Sequence, residues 1–361
     1  MRQTIYLKRL NRLREKLPQI GAQGLLVSSS HNRRWLSGFE GSSGWLLVTG
    51  DVAILGTDFR YWEQALSQAP DYELYKLGGD TTQNDLIRSA QIQNIALESQ
   101  HVALKDFHNL QQIEEVNWIL SENLVEALRT IKDVHELKKI RAAAAITDAA
   151  MGNVKQLLRV GMSEVSLAWE LEKYMREAGA TGLTFQVIVA SGPNSALPHH
   201  APGNRLIQDG DILLVDMGAS VDGYGSDLSR TFFVSSKGDP LFDERFGLVL
   251  RAHDKAIDSM KPGMRGCEVD AVARDIIAAA GYGENFGHGL GHGLGLEGHE
   301  GPRLSTSKAE TPLASGMVTT VEPGVYIPGW GGIRIEDLVL VTENGVELLS
   351  HSPIEPLLAP T

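Results

Sequence analysis

Two pairs of carboxylates stand among apolar, strand-like runs of the sequence. In the first pair, Asp216 closes the run ILLVD, and Asp227 follows eleven residues later, beyond the turn signal Val221-Asp222-Gly223. A hairpin through that turn would place both carboxylates on one face of a sheet. Two carboxylates in an apolar sheet repel each other and lose hydration unless a cation compensates them. The pair alone is also consistent with one turn cap and one solvated side chain.

The same arrangement recurs towards the C-terminus. Glu322 ends the run MVTTVE, Glu336 lies fourteen residues further on inside IRIED, and the segment PGVYIPGWGG between them carries turn residues centred on Gly329. A second hairpin would deliver a second pair of carboxylates, although an exposed edge strand would give the same local pattern. Two such pairs on apolar strands are difficult to explain as solvated faces, so we expect the four carboxylates to surround a cation.

Residues 286–303, FGHGLGHGLGLEGHEGPR, contain three histidines, His288, His292 and His299. Glycine at every second position of the first half disfavours a helix and predicts a strand or loop with close backbone approach. The segment lacks the spacing of a dinucleotide-binding glycine loop. Position 303 is arginine, so no H-E-x-x-H zinc helix begins at His299.

Four carboxylates and one imidazole form a ligand set for hard or borderline divalent ions. Mn²⁺, Co²⁺, Fe²⁺ and Zn²⁺ all fit by ligand type. Two ions about 3.5–4 Å apart would lower the pKa of a shared water and polarise a carbonyl oxygen. The chemistry that this set predicts is hydrolysis.

The elements that must position these residues divide at about residue 131. Before it, short apolar runs alternate with helical patterns, which predicts an α/β domain. The strand-like runs lie at 24–27, 45–48, 52–55 and 95–98, and a helical segment lies at 59–69.

Beyond residue 131 the pattern changes to long helices and hairpin strands. Asp133 and Glu136 form a capping box that begins a helix, which we expect to run to Gly161. Ser163 caps a second helix, whose predicted apolar residues are Val165, Ala168, Trp169, Leu171 and Met175. Further strand-like runs lie at 185–190, 212–217, 231–234, 317–321 and 333–341, and further helices near 241–260 and 268–280. We therefore predict two domains, residues 1–130 and 131–361.

Composition excludes several classes of function. The 361 residues carry a formal net charge of −12, which argues against nucleic acid or an anionic membrane as a partner. The single cysteine, Cys267, excludes a disulfide framework within the chain and a multi-cysteine zinc site. No run approaches the roughly 20 apolar residues that a membrane-spanning helix needs. We expect a cytoplasmic protein.

The sequence resembles the pita-bread metallopeptidases, the family of methionine aminopeptidase, aminopeptidase P and prolidase. In the C-terminal half the matching segments are FQVIVASGPNSALPHH, LLVDMGASVDGYGSDLSRTF, FGHGLGHGLGLEGHE, VEPGVYIPG and GIRIEDLVLVT. The N-terminal segment LSGFEGSSGWLLVTGDVAILGTDFRYWEQA resembles the creatinase-type amino-terminal domain, particularly that of aminopeptidase P. The resemblance implies an α/β (α+β) chain, with a creatinase-like domain followed by a pita-bread domain whose curved, mostly antiparallel sheet is flanked by helices.

The resemblance also implies a centre of two divalent ions per chain, most often Mn²⁺. The implied ligands are Asp216, Asp227, His292, Glu322 and Glu336. Asp227 and Glu336 would bridge the two ions. Glu322 would in addition act as the general base for a metal-bridging water.

Further residues take roles from the same resemblance. His199, in LPHH, would contact the substrate near the scissile carbonyl. His299 would assist proton transfer and stabilise the tetrahedral intermediate. His288 and Arg334 would shape the pocket for the residue after the cut. His200 occupies a position that varies among relatives, and we expect it at the surface or at the rim of the site.

The branch of the family is narrowed by the complete ligand set. Creatinase and histone-chaperone relatives do not keep all five ligands, and methionine aminopeptidases usually lack such an N-terminal domain. What remains is hydrolysis of an Xaa-Pro bond, by an Xaa-Pro aminopeptidase or by an Xaa-Pro dipeptidase (prolidase). The segments FEGSSG and TDFRYWEQA favour the aminopeptidase.

Two alternatives belong to other classes. One is a non-catalytic, metal-containing, peptide-binding protein, which the intact ligand set argues against. The other is a solute- or nucleotide-binding protein that uses the glycine-rich tract. Partners expected from the resemblance are a proline-containing peptide as substrate and a second copy of the chain in a homodimer.

Overall fold

The computed structural model describes residues 4–307 and 311–359. The chain divides into two compact units, Met1–Arg129 and Thr130–Thr361. This division lies beside the predicted domain boundary. Among the described residues, no helix combines the length and the apolar character that a membrane crossing requires.

The N-terminal unit alternates helices and strands. Its elements are α1 Ile5–Lys16, β1 Gly24–Val27, α2 Ser30–Ser37, β2 Trp45–Thr49, β3 Ala53–Asp58, α3 Trp62–Gln68, β4 Glu73–Leu77, α4 Gln83–Ser89, β5 Asn94–Glu98, α5 Leu104–Leu110, β6 Asn117–Ser121 and α6 Leu124–Arg129. Helix α1 begins where the Thr4 hydroxyl accepts a hydrogen bond from the Leu7 amide at 3.1 Å, and it buries Leu10 and Leu13.

Six strands of this unit form one mixed sheet in the order β4-β3-β2-β1-β5-β6. The predicted strands β1, β2, β3 and β5 are confirmed, and they are almost continuously buried. The sequence did not predict β4 and β6. These two strands are the sheet edges, where exposed and half-buried residues mix, so neither shows the apolar run by which the interior strands were found.

The C-terminal unit holds the remaining elements. These are α7 Val134–Gly152, α8 Val154–Leu157, α9 Glu164–Glu177, β7 Gly182–Leu183, β8 Ile188–Ser191, β9 Ile212–Met217, β10 Ala219–Val221, β11 Tyr224–Gly225, β12 Leu228–Val234, α10 Pro240–Ser259, α11 Gly266–Ala279, β13 Gly291–Gly293, β14 Glu300–Leu304, β15 Val318–Val321, β16 Gly324–Ile327, β17 Gly331–Arg334, β18 Asp337–Val341, β19 Val346–Leu348 and β20 Leu357–Leu358.

The strands of this unit are joined mainly by antiparallel pairing. They form the sheets β20-β12-β9-β8, β14-β13-β15-β18-β19 and β11-β10-β7, together with the two-stranded ribbon β16-β17. One apolar core joins α10 and α11 to the five-stranded sheet through residues such as Phe242, Val249, Ile277, Val321 and Val339. A second core packs α7 and α9 against β9 and β12.

The long helix predicted from Asp133 to Gly161 is wrong in its length. The capping box is present, with the Asp133 carboxylate accepting from the Glu136 amide at 3.1 Å, but α7 ends at Gly152 and α8 is a separate short helix. Glycine and asparagine have poor helix propensity, and their succession at Gly152 and Asn153 coincides with the break.

The apolar face predicted for α9 is also partly wrong. The helix buries Leu167, Leu171 and Met175, which lie four residues apart and therefore form one stripe. Val165 and Trp169 lie on another stripe and are 44% and 59% exposed. Trp169 is therefore an apolar residue on the exposed side of the helix, and its residue type alone does not predict burial.

Replacing a buried and an exposed side chain of α9 by alanine should change the stability of the protein by different amounts. We expect Leu171→Ala to lower the free energy of unfolding by about 2–5 kcal/mol, because it leaves a cavity in a closed core. Trp169→Ala should change it by no more than about 0.5 kcal/mol. Urea unfolding followed by circular dichroism measures both, and a larger loss from Trp169→Ala would contradict the packing of α9.

Candidate metal centre

The first pair of carboxylates is delivered by the predicted hairpin. Strand β9 pairs with β12 so that Asp216 lies opposite Ser229. Asp222 and Gly223 have φ of 46° and 75°, as a tight hairpin turn with two left-handed residues requires. Asp227 directly precedes β12 and lies two residues before Ser229, so the alternation of side chains places it on the same face as Ser229 and Asp216.

The second pair flanks the ribbon β16-β17. Gly324 pairs with Arg334 at its base, and Glu322 and Glu336 lie just outside the two strands. The run predicted as one strand over 333–341 is interrupted here, between β17 and β18. At the interruption, the Glu336 amide donates to the Ser229 carbonyl oxygen at 3.1 Å, and the Ser229 hydroxyl donates to the Glu336 carboxylate at 2.8 Å. The ribbon is thereby joined to the first hairpin.

His292 lies on the short strand β13 between two glycines. A Cβ at Gly291 would lie 2.1 Å from the Thr320 carbonyl oxygen, and a Cβ at Gly293 would lie 2.0 Å from the Gly301 carbonyl oxygen. The prediction of close backbone approach in the glycine-rich segment is therefore confirmed. The absence of side chains on either side of His292 lets neighbouring strands hold it at the site.

One cavity of about 450 Å³ gathers all the site residues that the sequence predicted. From that set its lining contains His199, Asp216, Asp227, His288, His292, His299, Glu322, Arg334 and Glu336. Apolar side chains, including Phe185 and Ile188, line the same cavity.

Burial makes this concentration of carboxylates electrostatically costly. It raises the pKa of Glu322 to about 7. Burial, and then repulsion from the neighbouring carboxylates, raises the pKa of Asp227 and of Glu336 well above the usual range. The Arg334 guanidinium, 2.6 Å from Asp216, compensates part of the charge. A further cation would let the remaining groups ionise.

The orientation of His292 also points to a cation. Its Nδ1 lies 3.1 Å from the Gly293 carbonyl oxygen, which can only accept, so Nδ1 carries the proton. Burial, followed by the charge of His299, lowers the pKa of His292 to about 4, and the ring is neutral at pH 7. The Nε2 lone pair therefore faces the carboxylates of Glu322 and Asp227, at 3.3 and 3.7 Å. Such an arrangement is favourable with a metal ion between the groups.

The donor set fits divalent metal ions. Ligand atoms of Asp227, His292 and Glu336 all lie within 4.8 Å of one another. The Oδ1 atom of Asp216 is buried and has no hydrogen-bond partner in the described structure, so it is an acceptor that lacks a donor. Carboxylate oxygens and a neutral imidazole are ligands for Mn²⁺, Co²⁺, Fe²⁺ and Zn²⁺.

Tyr326, which the sequence did not predict, joins two predicted site residues, His288 and Arg334. Its hydroxyl accepts from Arg334 Nη1 at 2.8 Å and donates to His288 Nε2 at 3.1 Å, since His288 Nδ1 donates to the Gly289 carbonyl oxygen. Strand alternation could have identified it: Tyr326 is two residues from Gly324, which pairs with Arg334.

The remaining histidines occupy distinct positions. The ring of His299 stacks on that of His292, with centroids 3.9 Å apart. His199 is exposed at the cavity. Of the two positions expected for His200, the rim of the site agrees with its place in the cavity lining, whereas a surface position does not agree with its burial. Its side chain is 14% exposed and its Nε2 lies 2.8 Å from the carboxylate of Glu164, which is fully buried.

Comparisons with known proteins find relatives along nearly the whole chain and agree with the fold. An uncharacterized peptidase of Bacillus subtilis, YqhT, is 41% identical over 96% of this chain and 99% of its own. The solved structure of an Xaa-Pro dipeptidase from Bacillus anthracis covers 98% of this chain and 99% of its own, with a TM-score of 0.94 and 40% identity. An X-Pro aminopeptidase from Thermotoga maritima covers 97% and 99%, with a TM-score of 0.88 and 36% identity.

The family match covers both units. Residues 9–131 match the creatinase/prolidase N-terminal domain, and residues 138–343 match metallopeptidase family M24. The predicted order of a creatinase-like domain and a pita-bread domain is confirmed, and the family is one of metallo-exopeptidases with dinuclear metal centres. The chain therefore belongs to metallopeptidase family M24 and carries a creatinase/prolidase N-terminal domain.

Proposed function

We propose that this protein hydrolyses the Xaa-Pro bond at the amino terminus of peptides with the help of two divalent metal ions. The observation that carries the proposal is the convergence of three buried carboxylates, the partly buried carboxylate of Glu322 and the His292 lone pair in one cavity. The relatives named as an Xaa-Pro dipeptidase and an X-Pro aminopeptidase support the choice of bond.

The proposed ligands are those that the sequence predicted. Asp216, Asp227, His292, Glu322 and Glu336 would hold the two ions, with Asp227 and Glu336 shared between them. Mn²⁺ is the proposed metal, because carboxylates outnumber the single imidazole and Mn²⁺ suits oxygen ligands. When bound, the ions supply an activated water and polarise the scissile carbonyl.

Other side chains would handle protons and the substrate. Glu322 is the proposed general base, and its side chain is 16% exposed against 11% for Asp216 and 5% for Asp227, so it is the most accessible of these three. His299 would assist proton transfer, and His199 would contact the substrate near the scissile carbonyl.

The pocket for the residue after the cut is assigned to His288 and Arg334. The proline nitrogen of an Xaa-Pro bond carries no proton to donate. Recognition must therefore come from the ring and the carbonyl group. Burial lowers the pKa of His288 to about 4, and a neutral, half-buried imidazole of this kind is compatible with an apolar proline ring.

A specific observation favours the dipeptidase as the second candidate beside the aminopeptidase predicted from the sequence. Arg303 lies opposite His292 in the β13-β14 ladder and lines the cavity. After burial, its charge is the largest contribution that lowers the pKa of His299. A guanidinium at this place can pair with the free carboxylate of an Xaa-Pro dipeptide. A third substrate residue would carry that carboxylate about 3.5 Å further away.

The homodimer and the cytoplasmic location are also proposals. The dimer rests on the resemblance described above, and light scattering at micromolar concentration tests it. The location rests on composition, and a fluorescent fusion or cell fractionation tests it.

Loss of one proposed ligand should separate metal binding from folding. Asp227→Asn should reduce the bound metal and lower kcat by more than about 100-fold, the upper end of the loss caused by removing an outer partner of a metal ligand. Asp222→Asn makes the same chemical change in the turn of the same hairpin and should leave both unchanged. Metal analysis after dialysis and Xaa-Pro hydrolysis provide the measurements. Full activity of Asp227→Asn would refute the proposed mechanism.

Removal of the metal should make the stability of the folded protein fall as pH rises. In the chelated protein the pKa values of Glu322, Asp227 and Glu336 lie above those of the unfolded chain. The folded state then binds more protons, so stability is lost as pH rises through about 7. The chelated protein should unfold at a lower temperature at about pH 8 than at about pH 5.5, whereas stabilisation by added Mn²⁺ should grow with pH. In chelated Asp227→Asn, the fall in unfolding temperature between about pH 5.5 and about pH 8 should be smaller than in the chelated parent protein. An equal fall in the two proteins would count against the carboxylates as its source.

Substrate length should decide between the two candidates. An aminopeptidase cleaves Gly-Pro-Pro, whereas a dipeptidase cleaves Gly-Pro and ignores the tripeptide. For a dipeptidase we also expect Arg303→Gln to raise KM for Gly-Pro by about 10-fold, because a charge-assisted hydrogen bond is lost. Liquid chromatography of the products, with a series of Mn²⁺, Co²⁺ and Zn²⁺, measures each rate. A protein that binds metal and gains thermal stability without turnover of any Xaa-Pro peptide would instead be a non-catalytic binding protein.

A further inference from the structure

The segment that carries His199 is an extended connection with little regular structure. It spans residues 192–211 between the neighbouring strands β8 and β9, and beyond a short helical turn it has no helix or strand. It supplies residues 198–202, His199 and His200 among them, to the cavity lining. Connections longer than about 12–15 residues without secondary structure are usually functional or disordered. An ordered connection needs side chains that hold it.

One buried carboxylate, that of Glu164, holds this connection at several points. Glu164 lies in the first turn of α9 and is fully buried. Its Oε1 accepts from the amide and the hydroxyl of Ser191, each at 2.8 Å, and from Asn194 Nδ2 at 2.9 Å. Its Oε2 accepts from His200 Nε2 at 2.8 Å and from the Gly203 amide at 3.2 Å. The start of the connection and the part beyond His199 are thus fixed to the same group.

The balance of forces on Glu164 keeps it charged. Burial acts to raise the pKa of its carboxyl group, but the hydrogen bonds, that of His200 foremost, outweigh burial and the pKa lies below the usual range. An ionised carboxylate can only accept, so His200 Nε2 is the donor. A hydrogen bond to a charged group is stronger than one between neutral groups.

His199 is thus held through both of its neighbours. On one side, the Pro198 carbonyl oxygen accepts from Arg334 Nη1 at 3.2 Å. On the other side, the His200 ring donates to Glu164. The exposed ring of His199 lies between a residue held by the metal-site arginine and a residue held by α9. Two fixed neighbours restrict the directions that its side chain can take.

We propose that Glu164 and His200 are positioning residues, which set the place of His199 against the substrate. This inference rests on the proposed function, because His199 is there assigned to substrate contact. It assigns no contact with the reacting atoms to either residue. Loss of the pair should weaken substrate binding while the metal centre stays intact.

The test compares two replacements of His200 in the full-length, Mn²⁺-loaded protein. His200→Leu removes the donor. In His200→Gln the amide Nε2 lies three bonds beyond Cβ, as the imidazole Nε2 does, so it can donate to Glu164. We expect His200→Leu to raise KM for the cleaved Xaa-Pro peptide by about 10-fold with kcat within about 2-fold, and His200→Gln to restore most of the loss. The matched control is His101→Leu, because His101 Nε2 makes a similar contact to Glu126 at 2.7 Å in the other unit, and its KM should equal that of the parent.

A double-mutant cycle shows whether the effect passes through His199. In a His199→Ala background, His200→Leu should cause no further rise in KM, since the side chain that it positions is already absent. Unchanged KM in His200→Leu, equal losses in His200→Leu and His200→Gln, or a full additional loss in the His199→Ala background would each overturn the proposal. Failure of the parent protein to cleave any Xaa-Pro peptide would instead overturn the proposed function. Metal content and the thermal midpoint of unfolding, measured for each variant, identify a variant that has lost the metal centre or the fold. If His200→Leu is such a variant, Glu164→Gln replaces it in the test, and it too should raise KM.

Discussion

Mutual repulsion among four carboxylates, three of them buried and the fourth partly buried, is the interaction that the C-terminal unit has to accommodate. Asp216, Asp227, Glu322 and Glu336 line one cavity, and Arg334 is the cation bonded directly to one of them. Burial alone would drive such groups to hold protons. The fold resists this outcome only in part, and the remaining imbalance is what a pair of divalent cations can remove. The architecture is therefore understood best as a frame that keeps like charges together.

The frame is built from strand pairing, and its hydrogen bonds reach beyond the proposed ligands. Ser229 connects the first hairpin to Glu336 and also accepts from Arg334 Nε at 2.9 Å. Arg334 in turn contacts Asp216, Tyr326 and the carbonyl group before His199. One guanidinium thus links the carboxylates, the pocket around His288 and the connection that carries His199. Displacement of Arg334 would disturb all three together, whereas displacement of His200 would disturb only the last.

Different physical signals explain why some features could be predicted from the sequence and others could not. The two hairpins were predictable because turn residues such as Gly223 and Gly329 stand at positions of positive φ and because acidic residues interrupt apolar strands. The alternating glycines predicted the close contacts between strands around His292. The edge strands β4 and β6 and the exposed face of α9 lacked such signals, because tertiary packing decides them. The end of α7 had a local signal in Gly152 and Asn153, but one such pair inside a helical pattern is a weak one. Tyr326 and Glu164 are ordinary residues in the sequence, and their importance depends on partners far away along the chain. The specific roles of the site residues stay predictions.

The alternation of side chains along the paired strands β9 and β12 limits how the gene for such a protein can change in length. Side chains on a strand alternate between faces, and Asp216 and Asp227 point the same way only while the pairing of Asp216 with Ser229 is kept. An inserted codon on the paired segments between Asp216 and the turn, or between the turn and Asp227, would turn one carboxylate away from the centre. An insertion between Val221 and Tyr224, the last pair before the turn, would lengthen the loop and leave the ladder as it is. Lineages of this chain should therefore accumulate insertions and deletions at the tip of the hairpin, while the two strands keep a constant length.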